Sequence, residues 1–428
     1  MFGAVRRLPL YGALPLGCAL AALCPSGAAA SDTRFFTPDT FELSGDLRFV
    51  LVDGEPSWVE GGFGKLRSGS DGGSRLTPQL GNANLIWQPQ FTWSLSATVV
   101  ATIQGGERTE AGVNQAFLSF RPMRSSSGTS LSARAGLMWP PVSLEHEGAD
   151  WHVGDSITPS AINSWIGEEV RPLALEGTVS TSIGSHRLRA TAAAIAANDT
   201  SGTLLTFRGW ALHDRITLGF RRQPLPPLGD DVSTFQPRYT HPLIDIHSGF
   251  AHRPGYYAKL SWQPPVPVRV DLFRYDNRAD PEDVNLEMEW GWRTAFDNVG
   301  VVADLGAGTT LKAQAMQGRT RMGFMEGDRR WIDNRFRSAF LMLTKPVGPI
   351  GLAVRGEAFG TRNRGFHWDH EYDEHGWSAM VAGSREFGRF TGLLELLHVA
   401  STSPAREHSD LPFRQRQTQL QMGLRTRW

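Results

Sequence analysis

The chain has very little cysteine. Its 428 residues include two cysteines, Cys18 and Cys24, and both lie within the first thirty positions. Small exported domains usually depend on disulfides, and reactive thiols mark many redox enzymes. A long chain whose cysteines are confined to one end must be held together by other means.

The cysteine-bearing end has the layout of a secretory signal peptide. Two arginines precede an apolar run at 8–23, and three alanines follow at 28–30, where a signal peptidase needs small residues. We therefore predict a removed signal peptide at 1–30 and a mature chain at 31–428 that begins with Ser31. Lipidation is disfavoured because the residue before Cys24 is a leucine, where a small residue is wanted.

Lysine and long apolar runs are also scarce. Four of the 43 basic residues are lysine, and without Arg6 and Arg7 the chain has 41 basic and 43 acidic residues, so the basic surplus typical of nucleic-acid-binding proteins is missing. No mature segment has 18 consecutive apolar residues, which excludes a transmembrane helix. The 46 glycines and 14 tryptophans favour β-structure, and no linker divides the chain into domains.

Apolar and polar residues alternate along the whole chain. In the last ten residues, mainly apolar side chains take the even positions of 420–428 and mainly polar ones take the odd positions of 419–427. Segments 41–52 and 91–104 repeat the pattern. Large apolar residues on one face and charged residues on the other, over about ten positions, are typical of strands that face lipid outside and water inside.

We predict eighteen such strands, with sixteen as the alternative count. Their ranges are 41–52, 82–89, 91–104, 113–121, 130–138, 169–181, 185–197, 203–210, 213–221, 254–262, 266–276, 284–294, 308–318, 334–344, 350–361, 376–385, 389–399 and 414–428. Long and short connections alternate, as expected for an outer-membrane barrel whose N-terminus is periplasmic. Two connections fit poorly, because 198–202 is short for a loop and 295–307 is long for a turn.

Together these features resemble the proteobacterial outer-membrane porins of 16 to 18 strands, and the overall look is similar to the phosphate-selective and other substrate-specific porins. The resemblance implies an all-β transmembrane antiparallel barrel with long extracellular loops and short periplasmic turns. It also implies passive diffusion of ions and small polar solutes across the bacterial outer membrane, in contact with membrane lipids and lipopolysaccharide. By the same resemblance, the barrel-assembly machinery reads the last strand, which ends with Trp428 where Phe is commoner, and a homotrimer is one assembly that it allows.

Strand parity assigns many arginines to the water-filled side of the barrel. This basic wall comprises Arg48, Arg134, Arg187, Arg189, Arg208, Arg215, Arg269, Arg293, Arg355 and Arg425. An excess of positive charge along a pore lowers the barrier to anions, so we expect a mild anion preference. The alternative is that these arginines pair with inward acids and leave the pore unselective.

The connection 139–168 carries negative charge and neither lysine nor arginine. Its acidic residues are Glu145, Glu147, Asp150, Asp155 and Glu168. By the resemblance we expect this loop to fold into the barrel as a constriction loop, because a barrel of this size leaves a lumen too wide for side chains to fill. The alternative is a surface loop whose acids are solvated.

The alternative function is an outer-membrane barrel hydrolase with an active site at the rim. The densest histidine cluster, 367–375, includes four acids and has the residue types of a zinc site, although a solvated acidic loop is favoured. No nucleophile elbow, phosphate-binding glycine loop or HExxH motif occurs in the chain. We therefore expect no catalytic residue, no cofactor and no bound metal.

Overall fold

The chain folds into a closed antiparallel barrel of sixteen strands. The computed structural model describes residues 33–106, 108–121, 128–195, 201–219, 221–241, 253–366 and 371–428, so the predicted signal peptide lies outside the described residues. The wall strands are β1 Phe41–Val52, β2 Arg75–Trp87, β3 Leu95–Gln104, β4 Glu110–Phe120, β5 Ser130–Leu137, β6 Leu173–Ile183, β7 His186–Ile195, β8 Gly255–Gln263, β9 Val268–Asp276, β10 Arg293–Asp304, β11 Thr310–Glu326, β12 Arg329–Val347, β13 Ile350–Asn363, β14 Glu374–Phe387, β15 Phe390–Thr402 and β16 Arg414–Arg427. Each strand pairs with the next, and β16 pairs with β1 to close the wall.

Connections at the two ends of the barrel differ in length. The end reached by odd-numbered strands carries the longest ones, loop 3 at 138–172 and loop 4 at 196–254, while tight turns such as 184–185 and 388–389 join strands at the opposite end. Loop 3 contains helix α1, Ala161–Glu169, and loop 4 contains the short helices α2, Thr203–Phe207, and α3, Asp230–Ser233. No helix within the described residues is both long and apolar enough to span a bilayer.

Short elements complete the connections. Single turns of 3-10 helix lie at Pro38–Thr40 and Trp58–Glu60, and a longer one lies at Pro404–Ser409. Inside loop 3, His146–Glu147 pairs with His152–Val153, and inside loop 4, Gln223–Pro224 pairs with Tyr239–Thr240.

The outer face of the wall is apolar. On β1 the outward side chains Leu43, Leu47, Phe49 and Leu51 are all exposed, while their neighbours in sequence point inward. Aromatic rings gather at the turn end, where Phe36 stacks on Trp87 with ring centroids 5.2 Å apart. An outward apolar band bordered by aromatic rings is the surface of a barrel surrounded by lipid.

Sixteen strands confirm the alternative count, and the predicted total of eighteen is wrong. The predicted strands 203–210 and 213–221 are not in the wall, because both belong to loop 4, whose residues 201–219 lie inside the barrel. Their apolar residues, including Leu204, Trp210 and Leu218, are buried against other parts of the protein instead of facing lipid. Apolar side chains are favoured where protein surrounds them, just as they are where lipid does, so the apolar alternation of these segments did not indicate a lipid-facing strand.

The predicted strand 284–294 is also wrong, and the predicted turn 295–307 is mostly strand β10. Asn285 Oδ1 accepts hydrogen bonds from the backbone N–H groups of Glu287 and Glu289, each 2.9 Å long, and so folds this stretch into a turn. Trp290 and Trp292 are buried in a second apolar cluster beneath the loops. Both departures fall beside the two connections whose lengths fitted the barrel pattern poorly.

Candidate functional site: a lumen filled by two loops

Loop 3 enters the barrel and places a helix across its lumen. Ser160 caps α1 by accepting a hydrogen bond from the backbone N–H of Asn163, as expected for a serine at a helix N-terminus. All nine residues of α1 are buried, including the large ring of Trp165. A helix buried on every side must be surrounded by protein, so the barrel wall itself packs against α1.

Arg355 on β13 anchors the start of this inserted segment. Its guanidinium lies 2.7 Å from the carboxylate of Glu145 and also donates to the carbonyl oxygens of Thr158 and Pro159, at 2.9 and 3.0 Å. Both members of the Arg355–Glu145 ion pair are completely buried. Glu145 in turn accepts hydrogen bonds from Ser160, so one arginine of the wall fixes both ends of the turn that leads into α1.

Acidic side chains of the neighbouring strands hold the same segment. Glu357 on β13 accepts a 2.7 Å hydrogen bond from the backbone N–H of Ala161, at the first turn of α1. Glu395 on β15 accepts from the N–H groups of Ile157 and Thr158, at 2.7 and 2.9 Å. These carboxylates satisfy backbone donors that would otherwise be buried without partners.

The end of α1 ties loop 3 to loop 4. Glu168 makes a bidentate contact of 2.5 and 2.7 Å with Arg208 and lies 3.1 Å from His213, both of which belong to loop 4. Burial opposes ionisation of Glu168, but the charges of Arg208 and His213 outweigh it and lower the pKa of Glu168 to about 2. The two loops therefore form one unit joined by a buried ion pair.

Glu169, the next residue, has the opposite electrostatic character. Burial raises its pKa to about 7, against the lowering effect of hydrogen bonds donated by Trp165 Nε1, Gly202 N and Leu204 N at 2.8 to 3.1 Å. Thr240 also donates to this carboxylate. Two adjacent glutamates on one helix thus titrate in different pH ranges.

Loop 4 is bound to β1 and β4 of the wall and to the connection between β1 and β2, which carries Arg67. Asp214 contacts Arg48 on β1 at 2.5 Å and Arg67 at 2.9 Å, and these two guanidinium groups outweigh burial and hold the pKa of Asp214 far below its usual range. Arg215 lies 3.0 Å from Glu110 on β4. Loop 4 therefore extends across the lumen, because Asn334 on β12, eight strands from β4 around the wall, donates to the carbonyl oxygen of Leu205 at 3.2 Å.

Loop 4 also contacts Glu374 on β14 and Lys65, which lies on the connection between β1 and β2. Glu374 accepts a 2.7 Å hydrogen bond from the backbone N–H of Trp210 and forms a buried ion pair with Lys65. Lys65 also donates to the carbonyl oxygen of Arg208, at 2.7 Å. Sequence reasoning missed both residues, since each was assigned to an external loop.

Together the two loops fill the middle of the barrel. Inward side chains there are no more than 2% exposed on strands all around the wall: Val50, Thr102, Tyr257, Phe296, Phe336 and Leu397. We refer to the inserted parts of loops 3 and 4, residues 138–172 and 201–219, as the plug. Its interior is apolar around Trp165 and Ile166, and its edges are charged and paired with the wall.

Most of the predicted basic wall does point inward. Arg48, Arg134, Arg355 and Arg425 are on the inner face and contact acids or carbonyl groups, while Arg187, Arg189 and Arg269 are on the inner face near the turns. Three placements are wrong. Arg208 and Arg215 belong to loop 4 and not to strands. Arg293 points outward because the stretch that set its predicted parity, 284–292, is a turn, while the inward side chains of β10 are at even positions.

The predicted acids of loop 3 lie in the lumen and, with one exception, contact basic groups. Glu145 pairs with Arg355 and Glu168 with Arg208, as described above. Asp150 lies 2.9 Å from both His152 and Arg427, and Asp155 lies 2.6 Å from Lys312 on β11. Glu147 is exposed.

A cavity of about 660 Å³ lies below the plug at the turn end of the barrel. Four basic side chains line it, Arg187, Arg189, Lys259 and Arg269, together with hydroxyl groups of β6 and β8. Asp271 partly neutralises the group, at 3.0 Å from Lys259 and 3.4 Å from Arg269. We call this cavity the basic vestibule.

The histidines that motivated the hydrolase alternative are dispersed. Residues 367–370 of the predicted cluster lie outside the described residues. Ser143 Oγ is 2.9 Å from His146 Nδ1, but the same oxygen accepts hydrogen bonds from the backbone of Glu145 and His146 and so forms a local turn. Burial lowers the pKa of His146 to about 3, too low for a base at neutral pH. Within the described part of the chain no three His, Cys, Asp or Glu side chains converge as a metal site would require.

Comparison with solved structures identifies the fold. The outer membrane channel DcaP of Acinetobacter baumannii is 9% identical and matches with a TM-score of 0.55, over 92% of this chain and 99% of that one. This is an outer-membrane porin fold. The trimer form of OmpT, an outer membrane protein of Vibrio cholerae, is 10% identical over 91% of this chain and 99% of that one, with a TM-score of 0.46. No family model and no curated protein matches the sequence.

In a barrel of this size, inserted loops decide how much of the lumen stays open. Wall side chains of sixteen strands cannot meet across the lumen, so an open barrel of this size would be a wide aqueous channel. Here the plug occupies that space and the basic vestibule remains below it. The plug and the vestibule are therefore the candidate functional site of this porin-like protein.

Proposed function

We propose that this protein is an outer-membrane channel for small polar solutes with a preference for anions, and that the plug restricts passage through it. The observation that carries the proposal is the plug itself, whose charged edges pair with the wall while the basic vestibule stays accessible. Passive diffusion requires displacement of part of the plug. Such displacement separates loop acids from wall arginines and exposes basic groups along the path.

The anion preference follows from the vestibule. At about 0.1 M salt a unit charge about 7 Å from a passing ion contributes roughly 0.3 kcal/mol after screening in water. Neutralising Arg187 and Arg189 together should therefore reduce the anion concentration in the vestibule about two- to threefold. Both arginines are exposed, so their substitution should leave the barrel folded.

The test is a reversal-potential measurement in planar bilayers under a KCl gradient. We expect the wild type to conduct with a chloride preference that falls at high salt, and R187Q/R189Q to lose most of that preference. The matched control is R385Q/R389Q, which removes two exposed arginines from the same end of the barrel but outside the lumen. No conductance under any condition, or a cation preference, would overturn the proposal.

Targeting and assembly belong to the same proposal. The signal peptide would direct export and be cleaved before Ser31, and insertion would use recognition of the strand that ends at Trp428. Backbone hydrogen bonds of 2.8 and 3.1 Å join Trp428 to Leu43, so the last strand completes the barrel next to β1. A homotrimer in the outer membrane is the proposed assembly, to be checked by cross-linking in native membranes.

A further inference from the structure

A group of arginines lies on the outer face of the barrel, toward the loop end. Outward positions of β9 to β13 carry Arg274, Arg293, Arg319, Arg321, Arg335, Arg337 and Arg362. We call this surface the arginine shelf. The plug, the vestibule and the predicted pore wall do not account for it, apart from Arg293, which was wrongly assigned to the lumen.

Strand register places like charges directly opposite one another on the shelf. Arg319 on β11 is paired in register with Arg335 on β12, and Arg335 with Arg362 on β13. At the next outward position toward the loop end, Arg293 on β10 is in register with Arg321 on β11. Like charges at directly opposite positions repel and destabilise a sheet unless counter-charges are present.

Three aspartates supply some of that counter-charge. Asp297 lies 2.8 Å from Arg274, Asp276 lies 3.5 Å from Arg293, and Asp333 pairs with Arg319. The remaining arginines, Arg321, Arg335, Arg337 and Arg362, have no ion-pair partner among the described residues. The shelf therefore keeps a net positive charge that its own side chains do not neutralise.

The shelf begins where the apolar band ends. The row immediately below it is Leu272, Val299, Ala315, Ala339, Ala358 and Trp377, paired strand by strand. On β12 the outward positions from Ala339 to Val347 span about 27 Å of strand, or about 21 Å of height at a tilt of 40°. Each further outward position is about 5 Å higher, so the arginines lie at the level of lipid headgroups.

The surface is also concave. A cavity of about 820 Å³ is lined by the seven shelf arginines from β9 to β13 and by His375 on β14. Four carboxylates also line it: Asp276, Asp297, Asp373 and Glu374. Small residues, Ala295 and Gly360, occupy outward positions between the arginines and leave room beside them. The space is sufficient for a charged headgroup to lie among the guanidinium groups.

We propose that the arginine shelf binds the phosphate groups of lipopolysaccharide in the outer leaflet, an inference that rests on the proposed outer-membrane location. Arginine forks match phosphate oxygens in bidentate geometry, and the lipid chains would lie along the apolar rows below. A second copy of this chain presenting the same face is the less suitable occupant, because it would bring positive charge against positive charge. A free phosphate ion would use the arginines but not the adjoining apolar surface.

The test compares R335Q/R337Q/R362Q with the wild type and with R385Q/R389Q. All substituted side chains are exposed, and a heat-modifiable band on gels reports that each variant is folded. Delipidated protein is titrated with bisphosphorylated lipid A, monophosphorylated lipid A, phosphatidylglycerol and inorganic phosphate. We expect bisphosphorylated lipid A to bind most tightly, the shelf variant to bind it at least tenfold more weakly, and R385Q/R389Q to bind like the wild type.

Three outcomes would overturn the inference. Equal binding of inorganic phosphate and lipid A would identify a simple anion site, and an unchanged lipid A affinity in the shelf variant would place lipid binding elsewhere. Loss of oligomers without loss of lipid binding would make the shelf an interface between copies. Conductance of the same variants separates this inference from the proposed function, since a shelf variant that conducts normally but has lost lipid A leaves the channel proposal unaffected.

Discussion

Replacing Arg355 by methionine should release the plug. The guanidinium bonds the carboxylates of Glu145 and Glu357 and the carbonyl oxygens of Thr158 and Pro159, all in buried surroundings. Methionine has a similar reach along the side chain but no charge and no donor. The substitution therefore leaves two carboxylates and two carbonyl oxygens without their donor. They can regain hydrogen bonds if loop 3 moves away from the wall and water enters.

The magnitude follows from the burial of this cluster. Removing one member of a buried ion pair costs about 3–5 kcal/mol, because the remaining charge is left uncompensated. Since about 1.4 kcal/mol changes an equilibrium tenfold, even the lower end of that range shifts the balance between attached and displaced loop roughly 150-fold toward displacement. Little of this change should affect the barrel, whose strands stay hydrogen-bonded on either side of Arg355.

Single-channel recording in planar bilayers measures the effect. We expect R355M to spend far more time in high-conductance states than the wild type, with an unchanged heat-modifiable band as evidence of a folded barrel. The control is R385M, which removes an exposed arginine outside the lumen and leaves the plug contacts in place. If folded R355M gave the same distribution of conductance as the wild type, loop 3 would not be the constriction.

Three further predictions concern pH and processing. Because the pKa of Glu169 is raised from 4.5 to about 7, its contribution to plug stability is complete below about pH 4.5 and is lost as pH rises to 7. Channel opening in the wild type should therefore increase between pH 4.5 and 7 and level off above pH 7, and E169Q should show no such rise. The pKa of Glu168 is lowered from 4.5 to about 2, so its contribution has the opposite sign, and acid below pH 4.5 should also loosen the plug in single-channel records. N-terminal sequencing of protein from outer membranes should give Ser31 as the first residue, and a lipidated cysteine there would contradict the predicted cleavage.

Wall strands were predictable because their surroundings are simple. A strand with lipid on one side and polar groups on the other has a two-residue period, and the prediction 41–52 coincides with β1 for that reason. Segment 203–218 has similar apolar content for a different reason, since it is surrounded by other parts of the plug and the wall. Alternation alone cannot distinguish lipid from protein as the apolar surroundings.

The site was less predictable than the fold. Parity places Arg355 on the inner face, but its main partner, Glu145, is 210 positions away in the chain and lies on a loop. Nothing local in the sequence specifies such a pair. Arg293 illustrates the other difficulty, because the alternation that assigned it to the lumen was read from residues 284–292, which form a turn before β10.

Insertion of loop 3 has a consequence for the order in which the molecule is built. The loop follows β5, yet the groups that hold it come from later strands. Glu357 binds Ala161, Glu395 binds Ile157, and Gln421 binds Thr158, across separations of 196 to 263 positions in the chain. Until those strands join the wall, loop 3 lacks these hydrogen-bond partners and Trp165 lacks its apolar surroundings. Docking of loop 3 and joining of the final hairpin to β1 therefore belong to one late step of biogenesis, in which the interior is completed at the moment when the wall becomes continuous.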